Sequence, residues 1–473
     1  MGGNERSKRG WKSHLKNWEF KLAFFIIAYF VFAHVVLENT YTLSEKGLAS
    51  HLKVIPEEAI DFYDQSPLQN PDRLAYMQYA TNYDYLNLAI LNFVQLRQAN
   101  TQVPNLVILY DQILQFYASN RWSKLYEVAN FHNITLRSME LIKTNYNDDS
   151  PWAASFTKLH IFNQDDFDRI VFFDSDSMFV NATLANEGDE DSSDDLPQRN
   201  GNCHIDELFK IPMEFDFALP QAYWLNNVVE GKERLKYRQK VDIPNAQRRR
   251  LRMKKLVSEL PSKGWQSLPS LIYEQHKFDN VDNFFANHVM VVQPSKKLFS
   301  EIIKYVHNPF YWTLTNRRNM RKPTDYDMEV INKYLNSELH KGAINVGILP
   351  HRVYGVLTGE FGEEWHERFV VDPQYLPFIK KRSNKGWDPL SVLSSLKLVH
   401  FSDSPIPKPW EEEGGEQPYD SKRIFCKDGN MSEYEEKYPH FRPRLTDDCA
   451  SVAIWAWLRT QFHRSRSNLW FAG

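Results

Sequence analysis

The chain has 473 residues, with 57 Lys and Arg against 60 Asp and Glu and a formal net charge of −3 at pH 7. That balance argues against a nucleic-acid partner, which a strongly basic chain would suit. A content of 42% hydrophobic and 14% aromatic residues excludes a wholly disordered chain and supplies material for a large core.

At the N-terminus, Arg6, Lys8, Arg9, Lys12, Lys16 and Lys21 precede an uncharged run from Leu22 to Leu37. The run is at the short end of what spans a bilayer. Glu38-Asn39-Thr40-Tyr41 offers no small-residue cleavage pattern, so the run reads as an uncleaved anchor rather than a signal peptide. The basic flank predicts a cytosolic tail over residues 1–21, a membrane anchor over 22–37 and a type II topology. So short a span suits the thin membranes of the early secretory pathway. Residues 38–70 read as a lumenal stem.

A catalytic domain is expected over residues 71–415. Leu74–Ala80, Leu86–Arg97 and Leu106–Tyr110 read as strand, helix and strand, the alternation of parallel strands joined by crossovers. The fold class expected is therefore α/β, with a doubly wound mixed sheet and helices on both faces.

Arg169-Ile170-Val171-Phe172-Phe173 has the unbroken apolar character of a central strand, and it stops at Asp174-Ser175-Asp176. Ligands of such sheets bind beyond the carboxyl ends of the strands. Two carboxylates converging there suit Mg²⁺ or Mn²⁺, although Asp and Ser also suit an ordinary strand-end turn. Two insertions interrupt the pattern. Residues near 187–200 carry an acidic run read as a solvated loop, and residues near 228–275 include Arg248-Arg249-Arg250, read as a solvated insertion helix.

Sequons at Asn133, Asn181 and Asn430 are compatible with a lumenal domain. In an oxidising compartment Cys426 can pair with Cys449, leaving Cys203 free; three separate thiols is the other reading. Far downstream, Leu396 to His400 reads as a second apolar strand, followed by a Pro-rich loop that presents Lys408-Pro409-Trp410. His400 is a candidate third metal ligand, and an imidazole beside two carboxylates favours Mn²⁺. Lys408 is a candidate partner for a diphosphate. Residues 416–473 form a C-terminal extension.

These ordered segments, from Leu74 to Trp410, resemble the family-8 retaining glycosyltransferases, the glycogenin-like group with a GT-A fold. Thr81-Asn82-Tyr83-Asp84-Tyr85 resembles the family's Thr-Asn-x-x-Tyr, which implies that Asn82 and Tyr85 contact the uracil and ribose. Thr157-Lys158-Leu159 matches a segment whose lysine, here Lys158, lies by the sugar nucleotide. The resemblance implies Asp174, Asp176 and His400 as Mn²⁺ ligands and Lys408 on the leaving diphosphate. Two segments depart from the pattern. Phe285-Ala286-Asn287-His288-Val289 stands for Phe-Asn-Ser-Gly-Val, so Asn287 takes the donor-sugar role from one position along. Asp327-Met328-Glu329 has Met328 in place of a glutamine, leaving Asp327 to line the reacting centre.

Within that family the chain most resembles the fungal Golgi N-acetylglucosaminyltransferase branch, the group called glucose N-acetyltransferase, through Tyr326-Asp327-Met328-Glu329 and the short anchor. The resemblance implies a Golgi enzyme that moves N-acetylglucosamine from UDP-GlcNAc to mannose residues of glycoprotein mannan chains, with retention. UDP-Glc and UDP-Gal are the alternative donors. A haloacid-dehalogenase-like phosphatase also places Asp-x-Asp after a strand, but there the motif commonly opens the domain. A lumenal scaffold or lectin with a decayed site is the non-enzymatic alternative.

Overall fold

The computed structural model describes residues 18, 21–30, 50–116, 120–143, 152–183, 198–199, 203–222, 246–270, 285–307, 325–362, 389–401, 408–410, 424–426, 444–446 and 449–470. Ten strands position the site: β1 Leu52–Val54, β2 Leu74–Ala80, β3 Asn105–Asp111, β4 Ile134–Met139, β5 Arg169–Phe173, β6 Ser177–Phe179, β7 Phe217–Leu219, β8 Val289–Val292, β9 Val346–Ile348 and β10 Leu398–His400. Eight of them form one sheet, in the order β1-β9-β7-β8-β5-β2-β3-β4. Neighbours run parallel except β8, which is antiparallel to both β5 and β7.

The alternation of side chains along each strand divides the core in two. Val171 and Phe173 of β5 face one apolar cluster, while Ile170 and Phe172 face the other. Helices α1 Glu57–Asp64, α2 Tyr83–Gln98, α3 Asn120–Phe131 and α4 Ala246–Lys263 cover the first face. The second is covered by α5 Lys296–His307, α6 Asp327–Lys341 and a 3-10 helix, Ser155–Asn163. The expected mixed sheet with helices on both faces is what the chain forms.

At the start of β5 the Arg169 side chain is fully buried. Its guanidinium donates to the carbonyls of Ile211, Pro212, Phe209 and Phe215, the last three at 3.0, 3.4 and 3.5 Å. A buried charge is tolerated only when hydrogen-bonded in this way. It fixes the approach of β5 to the segment that leads into β7.

A third apolar cluster joins β6 and β10, paired antiparallel, to the C-terminal helix α7 Cys449–Trp470. Met178, Val399, Ile454, Trp455, Leu458 and Phe462 meet there. Cys426 and Cys449 form a disulfide, and Cys203 is a thiol that donates to the Val180 carbonyl at 3.1 Å.

Two expectations are corrected. The stem cannot run to residue 70, because β1 pairs parallel with β9 and Ala59 and Ile60 of α1 are buried in the core. The insertion helix α4 is not solvated all round: Met253, Leu256 and Leu260, at helical spacing, enter the first cluster while Leu251, Arg252, Lys254 and Lys255 remain exposed. The acidic run at 187–195 and the Arg248 to Arg250 side chains lie outside the described residues. Residues 22–30 of the expected anchor are helical, 31–37 lie outside the described residues, and no described helix is long and apolar enough to cross a membrane.

Phe173 is fully buried, with its ring 5.2 Å from Phe179, 6.1 Å from Phe93 and 6.2 Å from Tyr76 between centroids. Phe173→Ala is expected to destabilise the fold by about 3–5 kcal/mol in urea unfolding, since no neighbour can fill the space.

Candidate active site

The site begins where β5 ends. Asp174 N–H donates to the carbonyl of His288, just before β8, at 2.9 Å. Asn92 of α2 donates to the Ser175 carbonyl at 3.0 Å, and Gln78 of β2 donates to that of Asp174 at 3.4 Å. The turn between the two aspartates is therefore held from three elements. On its far side, Phe401 N–H donates to the Asp176 carbonyl at 2.9 Å, and the β6–β10 register sets His400 opposite Ser177.

That register brings His400 Nδ1 to 3.3 Å from Asp176 Oδ1, and Lys408 Nζ to 2.8 Å from Asp176 Oδ2. One donor atom each from Asp174, Asp176 and His400 lies within 4.8 Å of the others. Two hard carboxylates and an imidazole suit Mn²⁺ or a similar divalent ion. Asp174 Oδ1 is buried, and the Lys158 ammonium approaches it at 3.0 Å without hydrogen-bond geometry. The oxygen keeps lone-pair capacity for a metal ion, and the residues present fit one.

Asp174 also belongs to a second constellation. Lys158 Nζ, from the 3-10 helix, lies 3.0 and 3.2 Å from the two Asp174 oxygens and 2.9 Å from Asp327 Oδ2. Asn287 Nδ2 donates to that Asp327 oxygen at 2.8 Å, and Lys158 Nζ donates to Asn287 Oδ1 at 3.5 Å. Asp327 is the first residue of α6, where the helix dipole also favours a negative charge.

Electrostatics separates the carboxylates. Burial raises Asp174 to about 7, with Lys158 opposing the shift and Asp176 adding to it. Burial also acts to raise Asp176, but His400 and Lys408 outweigh it and hold that carboxyl below its ordinary range. Asp327 is likewise held low, because Lys158 and the hydrogen bonds around it overcome burial. For Lys158, burial favours the neutral amine, yet the two carboxylates raise its pKa and keep the ammonium charged.

Of the residues expected from the sequence, Asp174, Asp176, His400, Lys408, Lys158, Asn287 and Asp327 come together. Asn82 instead caps α2, its Oδ1 accepting from Tyr85 N at 2.9 Å. Tyr85 is half-buried against the first and third clusters. Both follow the end of β2, the parallel neighbour of β5, and so lie on the same edge of the sheet as Asp174. Met328, beside Asp327, is half-exposed.

Sequence reasoning missed a histidine arrangement behind the site. The rings of His288 and His400 stack with centroids 5.0 Å apart, and burial, then His400 and His351, push the His288 pKa well below its ordinary value. His351 Nε2 lies 2.9 Å from both oxygens of buried Glu360. The only signal for His288 was its departure from the glycine expected there.

A Candida albicans (strain SC5314) protein named Glucose N-acetyltransferase 1 is 63% identical to this chain over 463 residues, covering 98% of each. A Debaryomyces hansenii protein of the same name is 42% identical over 466 residues, covering 96% of this chain and 97% of its own. Among solved structures, the galactosyltransferase LgtC in complex with donor and acceptor sugar analogues aligns with a TM-score of 0.37 and 13% identity. That alignment covers 72% of this chain and 90% of LgtC, and the likeness is too slight to bear on site or substrate. No protein-family model matches the chain.

The raised Asp174 carboxyl would make any metal binding at this site compete with a proton. Mn²⁺ affinity, measured by calorimetry, is expected to fall about tenfold per pH unit below about 7. Asp174→Asn should lose that binding but raise the melting temperature in chelator at pH 8. A carboxyl whose folded pKa is raised has lost its stabilising proton above that value, so the gain should shrink as pH falls from about 7 towards the ordinary carboxylate range.

Proposed function

Since the chain belongs to the fungal Glucose N-acetyltransferase 1 family, we propose that it is a metal-dependent retaining glycosyltransferase of GT-A type. Its donor is UDP-GlcNAc, and its acceptors are mannose residues of glycoprotein mannan chains. The observation that carries this reading is the meeting of Asp174, Asp176 and His400 beside Lys408. The relatives' name fits transfer of an N-acetylated glucose better than acetyl transfer. A divalent-cation site beside a lysine suits a diphosphate leaving group, which acetyl transfer does not generate.

Bound Mn²⁺ would supply positive charge where negative charge develops on the diphosphate of UDP. Lys408, paired with Asp176 in the structure, adds a second cation to the same group. Its ammonium also lies 5.6 Å from the centroid of the Trp410 ring, which packs on Phe401 and helps close the site against water. Asp327 sits beyond Asp174, across Lys158. Held ionised and weakly basic, it is better suited to stabilising positive charge at the anomeric carbon than to removing the acceptor's proton. Asn287 fixes the orientation of that carboxylate. Asn82 and Tyr85, on the same edge, are the proposed contacts to the uridine. The basic tail and apolar run from Leu22 to Leu37 support a single-pass type II protein of the Golgi membrane.

The test is UDP release by the purified full-length chain with UDP-GlcNAc, UDP-Glc and UDP-Gal, each with and without mannan and Mn²⁺. Release from UDP-GlcNAc alone, stimulated by mannan and lost in chelator, is the expected result. A preference for UDP-Glc or UDP-Gal would overturn the donor, and silence with all three would overturn the enzyme. Lys408→Ala should lower kcat by about a hundredfold, as expected for loss of one group that stabilises developing charge.

A further inference from the structure

The three candidate ligands are not equally constrained. The backbone of His400 is fixed by pairing with β6 and by donation from its N–H to the Val356 carbonyl at 3.1 Å. Those backbone bonds do not set the ring plane, since the outer torsion of a histidine has a broad, shallow profile, and the 3.3 Å approach of Nδ1 to Asp176 Oδ1 holds one edge of the ring rather than its tilt. A ring nitrogen binds a cation only when its lone pair points at the ion, so something must hold the imidazole plane.

His288 is placed to do so. It is buried, and its ring lies 25° from parallel with that of His400, centroids 5.0 Å apart. Its carbonyl receives the Asp174 N–H at 2.9 Å, so one residue touches two of the three ligands, one through the ring and the other through the backbone. It is not a member of the ligand set: among the described residues, the cluster within 4.8 Å comprises Asp174, Asp176 and His400. We infer that His288 is a positioning residue, whose flat ring holds the His400 imidazole in its metal-binding orientation, an inference that rests on the metal-dependent reading above. Its role is to reduce the angular freedom lost on binding, and outer partners of metal ligands typically act on affinity in this way.

The experiment measures Mn²⁺ binding to the full-length protein by electron paramagnetic resonance of free Mn²⁺, alongside the Mn²⁺ dependence of UDP release. His288→Ala should weaken binding by roughly 10- to 100-fold. At saturating Mn²⁺, kcat should change by less than about threefold, because the ring touches no reacting atom. His288→Phe, which keeps a flat face, should retain most of the affinity, while His288→Leu, which fills the space without one, should behave like the alanine variant. Wild-type affinity in His288→Ala overturns the inference. So do equal affinities in the Phe and Leu variants, a contrast that remains decisive if the alanine variant fails to fold. If the wild type and Asp176→Asn bind Mn²⁺ alike, the metal-dependent reading itself fails and the inference falls with it, an outcome distinct from a change confined to the His288 series.

Discussion

The ammonium of Lys158, buried between Asp174 and Asp327 at 3.0 and 2.9 Å, is the interaction on which the rest of the centre depends. A lone charge in that place would be unfavourable by several kcal/mol, and so would two neighbouring carboxylates with no cation. Together they are tolerable. The requirement extends into the fold, because the three residues come from a 3-10 helix, the end of β5 and the first turn of α6. The 3-10 helix and α6 cover the same face of the sheet, and both must pack correctly before the charges can meet.

The two aspartates of the Asp-x-Asp turn differ in character for reasons that lie outside the turn. Asp176 faces His400 and Lys408 and stays ionised; Asp174 shares a single cation with Asp327, too little to offset the cost of its burial. Environments that drive two carboxyls apart give them different work. Asp176 is a constant anchor for the cation side of the site. Asp174 couples that side to the carboxylate proposed to face the sugar.

Much of this was legible in the sequence where one residue type has one physical use. The run from Arg169 to Phe173 read as a strand covered on both sides with Asp174 and Asp176 at its end, and it is one, with all five residues buried. His400 followed from an apolar strand and a Pro-rich loop. Where a signal was mixed, the reading failed. Charged residues along α4 masked Met253, Leu256 and Leu260, and three buried residues at β1 were too few to mark a strand inside an expected stem. Asn82 had two uses, contact with a nucleotide and capping of α2, and only the second is visible in the structure. His288 was hidden for another reason: ring stacking between residues far apart in sequence leaves no periodicity.

The C-terminal helix α7 packs on the segment that carries His351 and Glu360. Trp455 Nε1 donates to the Thr358 carbonyl at 2.8 Å, and the Ser451 hydroxyl donates to that of Phe361. The neighbouring Val356 in turn receives the His400 N–H, and the helix itself is tied to Cys426 by the disulfide. Asp176 and Lys408, which meet at 2.8 Å, are 232 residues apart, and the packing that secures His400 comes later still. During synthesis, then, the two aspartates emerge on a growing chain that lacks their histidine partner, and the apolar cluster behind β6 and β10 is completed only by the last helix. A chain that stops short of that helix would leave Met178, Val399 and Phe401, which flank the aspartates and the histidine in sequence, without their apolar cover.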